Sequence, residues 1–229
     1  KRPVLQATTI TAAMSHLVRS HPVAFALELL RAREKQRVEA SLFRLKAQEM
    51  ARIYTAVFSR LAREYGVTIA AGSILLPEPR VVNGQVLAGK GPLYNICAVF
   101  RPDGRAEPEL VKKAYPIASE QPFVAQGAPG EIPAFDTPAG RLGILICADS
   151  WFPEAFERMR ALEVEILAVP SAVLPGDHWM QPWMGYSGFT APEDVDPTDI
   201  GRLLEFQAWD RYALEGRFAR SGARVGMNL

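Results

Sequence analysis

Gly143-Ile144-Leu145-Ile146-Cys147-Ala148-Asp149-Ser150-Trp151-Phe152-Pro153-Glu154 reads as a strand, a turn and the start of a helix. The apolar run Ile144-Leu145-Ile146 predicts a buried strand that delivers one thiol, Cys147, to a turn. Asp149, Ser150 and Pro153 then mark a helix start. A thiol held where a strand meets a helix N-terminus faces oriented backbone N–H groups, which favour the thiolate. That placement suits a nucleophile. It suits equally a buried cysteine closing a core strand, because free cysteine is among the most buried residue types.

Outward from this element, helical and strand patterns alternate. Downstream, Phe156, Met159 and Leu162 supply the apolar face of a helix, and Ile166–Val169 predicts a further strand. Residues 170–197 form a long irregular loop. Its Trp179, Trp183, Tyr186 and Phe189 either line a substrate pocket or pack beneath the loop or at a subunit contact. Thr198 is expected to cap a last helix reaching about Ser221, followed by a terminal strand over residues 223–228. Upstream, Pro138-Ala139-Gly140 joins residues 132–136 to residues 141–147 as a hairpin, and Pro102-Asp103-Gly104 turns a strand at 94–100 back into residues 109–112. Residues 67–76 predict a buried strand, with Asn83-Gly84 as a turn beyond it. Over residues 35–65, Val38, Leu42, Leu45, Ile53, Val57 and Leu61 fall mostly at three- or four-residue spacing, which predicts one long amphipathic helix closed by Gly66. Residues 8–33 read as helical, broken at Pro22.

Composition narrows the function classes. The 229 residues are 48% hydrophobic and 22% charged, ordinary for a soluble globular chain with a sizeable core. Lys plus Arg number 26 against 25 Asp plus Glu, so the net charge of +1 gives no argument for a nucleic-acid partner. Two cysteines, Cys97 and Cys147, make no disulfide framework, which points to a reducing compartment and a cytoplasmic protein. No apolar run reaches the ~18 residues of a transmembrane helix. His16, His21 and His178 lack metal-ligand spacing, so no metal site is expected. Gly185-Tyr186-Ser187-Gly188-Phe189 imitates a serine-hydrolase elbow but lacks its final glycine. The chain opens at Lys1 without a methionine and stops just after an apolar run, so both ends are expected to be cuts in something longer.

Two further pieces accompany the thiol. Lys112-Lys113 closes a strand, and Glu120 stands in the loop beyond it. A thiol, an amine and a carboxylate at strand ends can share one crevice of an α/β fold, although each lysine and Glu120 taken alone reads as a solvated surface group. The order of motifs resembles the nitrilase, or carbon–nitrogen hydrolase, superfamily over residues 35–229. Tyr94-Asn95 leading to Pro102-Asp103-Gly104 is similar to its "YN…PDG" hairpin, Lys112-Lys113-Ala114-Tyr115-Pro116 to its "RKxHL", and residues 147–154 to its nucleophile motif "C-x-D-x-x-F-P-E". Val169-Pro170-Ser171-Ala172 and the late helix over residues 210–215 follow in family order.

The resemblance implies a single domain over residues 1–229, with a helical segment at 1–34 and a core at 35–229, folded as an α-β-β-α sandwich of two sheets flanked by helices. It implies Cys147 as nucleophile, Lys113 as the oxyanion-stabilising lysine beside its basic neighbour Lys112, and Glu120 as the extra carboxylate that orients substrate or assists proton transfer. Ala148 would offer its N–H to the oxyanion, with Trp151 and Ser171 at the substrate. The implied reaction is hydrolysis of a non-peptide carbon–nitrogen bond, amide before nitrile or carbamoyl, through a thioester, with no metal or organic cofactor. A homodimer or higher homo-oligomer, paired through helical faces, goes with it. Two alternatives stay open: an acyltransferase that resolves the thioester with an amine, and a non-catalytic binding or scaffold protein. Two departures stand out. Tyr115 replaces the motif's histidine, and no Pro-Glu closes an early strand, so the family's general base is expected ahead of Lys1. Glu28, Glu34, Glu39 and Glu49 lie on predicted helices and make poor substitutes.

Overall fold

The computed structural model describes residues 7–172 and 177–228, and burial along residues 96–100 shows how its layers are built. Ile96, Ala98 and Phe100 pack against a helix, whereas Cys97 and Val99 face a second sheet. This two-residue alternation is that of a strand buried on both faces.

The first sheet holds β2 (Ile74–Pro77), β5 (Leu93–Cys97) and β7 (Val111–Lys112), all antiparallel. A short pair, β1 (Ile69–Ala70) with β6 (Val99–Phe100), prolongs it. The predicted strands over 67–76 and 94–100 are therefore each interrupted. The reason is local: the Ala98 carbonyl accepts from Ala71 N–H (3.0 Å), and the Ala98 N–H donates to the Tyr54 hydroxyl (3.2 Å), leaving the ladder. Residues 80–87 form a separate hairpin of β3 (Arg80–Val82) and β4 (Gln85–Leu87). It turns at Asn83 and Gly84, whose φ angles are 52° and 78°. The second sheet runs β8 (Ala134–Thr137), β9 (Gly140–Ile144), β10 (Ile166–Val169) and β11 (Val225–Asn228); β8 is antiparallel to β9, and the last three are parallel.

Cys97, Val99 and Val111 of the first sheet meet Leu142, Ile144, Ile146 and Leu167 of the second in one buried cluster. On the far side of the second sheet lie α4 (Pro153–Ala161) and α6 (Leu214–Ser221). They come close: a Cβ on Gly143 would sit 2.5 Å from Met159 Sδ, and one on Gly226 would sit 2.7 Å from the Phe218 ring. The first sheet is covered by α3 (Arg37–Tyr65), ahead of which come α1 (Ile10–Ser20) and α2 (Pro22–Arg31). The result is an α-β-β-α sandwich.

Two helical expectations need correction. The long helix ends as predicted at Gly66, left-handed at φ 62°. Its core stripe, however, is Ala47, Ala51, Tyr54 and Ala62, while Val38, Ile53 and Val57 are more than 40% exposed. Small alanines let the helix axis lie close to the sheet, a packing gain that aliphatic periodicity does not register. The predicted helix from Thr198 to Ser221 is three elements. A 3-10 turn at Pro197–Asp199 is capped by Asp196, not Thr198; α5 (Glu205–Tyr212) follows; and non-helical backbone at Ala213 separates it from α6. The buried Arg217 holds that break open by donating to the Tyr212 carbonyl.

Phe100 is fully buried against Tyr54 and Phe58, so Phe100→Ala is expected to cost about 3–5 kcal/mol in urea unfolding. Ile53→Ala, on the exposed face of α3, is expected to cost under about 0.5 kcal/mol.

Candidate active site

Three parallel strands of one sheet end at a common edge, where ligands collect in open α/β folds. Cys147 follows β9, Ser171 follows β10, and Asn228 closes β11. They are tied together: Cys147 N–H donates to the Pro170 carbonyl (3.0 Å), and Ser171 Oγ–H donates to Asn228 Oδ1 (2.9 Å).

Cys147 has φ 51°, left-handed backbone on a residue with a Cβ. Such strain costs about 1–3 kcal/mol and persists only where the surroundings over-determine it. A 3-10 turn, Cys147–Trp151, starts there, so the helix predicted from Asp149 begins only at Pro153. Ser150 Oγ–H closes the turn by donating to the Cys147 carbonyl (2.8 Å). Ala148 is second in the turn, where an N–H has no carbonyl of the same turn within reach.

What holds this geometry is Asp149, fully buried. Its Oδ1 accepts from Ala114 N–H (2.9 Å) and Tyr115 N–H (2.8 Å), and its Oδ2 from Ile146 N–H (3.0 Å). Burial outweighs the pull of these donors and of the Lys113 ammonium, and sets its carboxyl at about 7. One side chain thus bolts the segment after Lys113 to the residue before Cys147. In the sequence Asp149 reads as a helix starter and as the aspartate of the C-x-D-x-x-F-P-E motif; its clamping role appears only in the fold.

Lys113 is 3% exposed, and its Nζ lies 2.6 Å from Glu120 Oε2. Glu120 also accepts from Ile117 N–H (2.9 Å) and, through Oε1, from Asn95 Nδ2 (3.1 Å). The strand period turns Lys112 the other way, over the Tyr94 ring at 4.7 Å. The two lysines are thereby told apart. Asn95, quoted in the sequence only as a landmark, orients the carboxylate, and its own Oδ1 is buried without a protein partner.

A cavity of about 670 Å³ opens over the thiol and is lined by Cys147, Ala148, Trp151 and Ser171, while Lys113 and Glu120 do not reach its wall. Of the four loop aromatics, Trp179, Trp183, Tyr186 and Phe189 all contribute to the wall, and Trp183, 2% exposed, also packs against Trp151 and Tyr212. These aromatics thus both line the pocket and pack within the loop; its residues 173–176 lie outside those described. Arg217, missed in the sequence, braces the wall by donating to the Tyr186 hydroxyl (3.0 Å) and the Trp151 carbonyl. Tyr115 stacks on Phe152 at 3.6 Å and donates to Glu154, so the tyrosine also ties the lysine segment to α4.

Of the remaining candidates, Ser187 and His178 also line this cavity, and the early glutamates lie elsewhere. Glu28 and Glu34 pair with Arg31 and Arg44 beside a larger cavity of about 770 Å³, without a cysteine. Ser187 Oγ accepts from Ala118 N–H (3.1 Å). Among the described residues, no group of three or more His, Cys, Asp or Glu is arranged to hold a metal ion, and no helix is long and apolar enough to cross a membrane.

The profile of the family described as "Carbon-nitrogen hydrolase" matches residues 7–190. The chain belongs to that family. Over 131 residues it is 46% identical to a deaminated glutathione amidase of Yersinia enterocolitica, covering 52% of this chain and 42% of that one. An N-carbamoylputrescine amidase of Arabidopsis thaliana is 29% identical over 162 residues, 65% of this chain and 50% of the relative. The chain spans half or less of these two curated relatives. The fold matches a carbon–nitrogen hydrolase crystal structure from Helicobacter pylori, with a TM-score of 0.54 at 20% identity, over 94% of this chain and 65% of that one.

Replacing Asp149 by asparagine turns an N–H toward a buried N–H, so Asp149→Asn is expected to lose about 1–3 kcal/mol in chemical denaturation. A water-soluble disulfide reagent should label one thiol, Cys147, in the native protein and both after unfolding, since burial pushes the Cys97 thiol up to about 12.

Proposed function

We propose that this chain carries the nucleophile, lysine and auxiliary carboxylate of an enzyme that hydrolyses a non-peptide carbon–nitrogen bond, most favourably an amide. The observation that carries the reading is the strained Cys147 at the strand edge of the cavity, locked through Asp149 to the segment that follows Lys113.

Cys147 Sγ attacks the amide carbon, and the C–S bond forms as the carbonyl electron pair moves to oxygen. The Ala148 N–H, on the cavity wall, stabilises that oxyanion, and the Lys113 ammonium adds its positive field from behind the wall. Collapse breaks the C–N bond, and the departing nitrogen takes up the proton released by the thiol. Glu120, hydrogen-bonded to Lys113, is the carboxylate of this chain that assists the transfer. Water then attacks the thioester, releasing the acid and restoring the thiol. Trp151 and Ser171 contact the substrate.

A second copy of the chain belongs to the same reading. Val23, Leu27 and Leu30, 73%, 48% and 78% exposed, repeat at helical spacing along α2 and suit pairing through a helical face. Sedimentation velocity is expected to show a dimer or larger assembly.

In the full-length protein, Cys147→Ala is expected to abolish ammonia release across a panel of amides while the melting transition persists. Lys113→Ala should lower kcat/KM by about 10²-fold or more, as for loss of an oxyanion donor. Lys112→Ala should do much less. An active Cys147→Ala protein, or no acyl adduct on Cys147 by intact mass during turnover, overturns the thioester route.

A further inference from the structure

The cavity over Cys147 has an unusual balance of charge. Among the described residues that line it there is no lysine or arginine, and Glu205 is its sole carboxylate. Glu205 opens α5, and Trp209, four residues on, shares its helix face. From the loop, His178 and Trp179 come up to the same place, and the rings of Trp179 and Trp209 stand edge-to-face at 6.2 Å and 88°. The Glu205 side chain is 19% exposed; its nearest ionic partner is His178 Nε2 at 4.0 Å, beyond hydrogen-bond reach. No hydrogen bond to its carboxylate is made among the described residues, whereas Glu120, outside this wall, is saturated by Lys113, Ile117 and Asn95. Burial raises the Glu205 carboxyl, against the opposing pull of the nearby His178.

A carboxylate that accepts no hydrogen bond among the described residues, with only His178 at 4.0 Å and two perpendicular indoles on the same wall, suits one ligand chemistry. A cation gains from the indole faces and from the acid together, while an anion meets no donor pair and a plain alkyl chain leaves the acid desolvated and unpaired.

We propose that Glu205, Trp179 and Trp209 form a subsite for an ammonium or guanidinium group, so that the substrate is an amide whose acyl portion ends in a cation. The reacting amide is taken from the function proposed above; the cation subsite stands on the cavity wall alone.

The test compares 5-aminopentanamide with hexanamide, equal in length and differing by an ammonium for a methyl. Binding is measured by calorimetry in full-length Cys147→Ala protein, where no turnover intervenes. The aminated amide is expected to bind at least about tenfold more tightly, the scale of one desolvated cation–π or ionic contact. Glu205→Gln in the same background should bring that preference close to one. Trp179→Leu, a variant at a different element, should reduce it as well. Equal affinity for the two amides, no binding of 5-aminopentanamide at millimolar concentration, or a preference that survives both substitutions overturns the subsite. Failure of the hydrolase reading looks different. Wild-type protein that prefers the aminated amide in binding yet releases no ammonia from either compound refutes hydrolysis and leaves the subsite in place. Hydrolysis of both with equal kcat/KM does the reverse.

Discussion

The buried carboxylate of Asp149 is the constraint on which the site depends. It accepts three backbone N–H groups from two distant parts of the chain, Ala114 and Tyr115 on one side and Ile146 on the other. Those donors sit in the interior, where an unpaired N–H is costly, so the arrangement tolerates little displacement. Cys147 is held in left-handed backbone by this grip from within and by the Pro170 carbonyl from outside. The energy stored in that backbone is small beside the burial around it, which is why it can persist.

The Lys113–Glu120 pair follows a different logic. A nearly buried ion pair is weak evidence for stability, because desolvating both charges offsets much of their attraction. What the pair achieves is placement. Asn95 and the Ile117 N–H fix the carboxylate, the carboxylate fixes the ammonium, and the lysine's own backbone donates to the Asn95 carbonyl at 2.8 Å. The ammonium is thereby confined with almost no rotamer freedom left.

Much of this was legible in the sequence, for identifiable reasons. A strand marked by an aliphatic run, Ile166–Val169, and the sharp turn at Asn83-Gly84 came through because local chemistry alone decides them, whereas the short strands on either side of that turn did not. Of the residues the motifs single out, Cys147, Ala148, Trp151 and Ser171 share one cavity wall, while Lys113 and Glu120 pair outside it. Tertiary contacts defeated the rest. The core face of α3 is alanine, whose value lies in what it lets approach; Ala98 leaves its ladder because a tyrosine from another element takes its N–H; Ala213 breaks a helix without glycine or proline. Glu205 carried no signal at all, since its meaning comes from the rings around it.

The bond from Ser171 to Asn228 spans 57 residues, and β11 must find β10 across the whole of the intervening loop and two helices. Pairings so distant along the chain close late, because the entropy of the loop is lost before any contact repays it. The crevice thus rests on a contact with a high loop-closure cost, and the two thiols of the chain differ in place: Cys97 is sealed between sheets while Cys147 is left at the rim. A chain stalled before β11 docks presents an open sheet edge and an unfinished crevice together. For this fold, the strand that closes the crevice is also the exposed edge of the sheet.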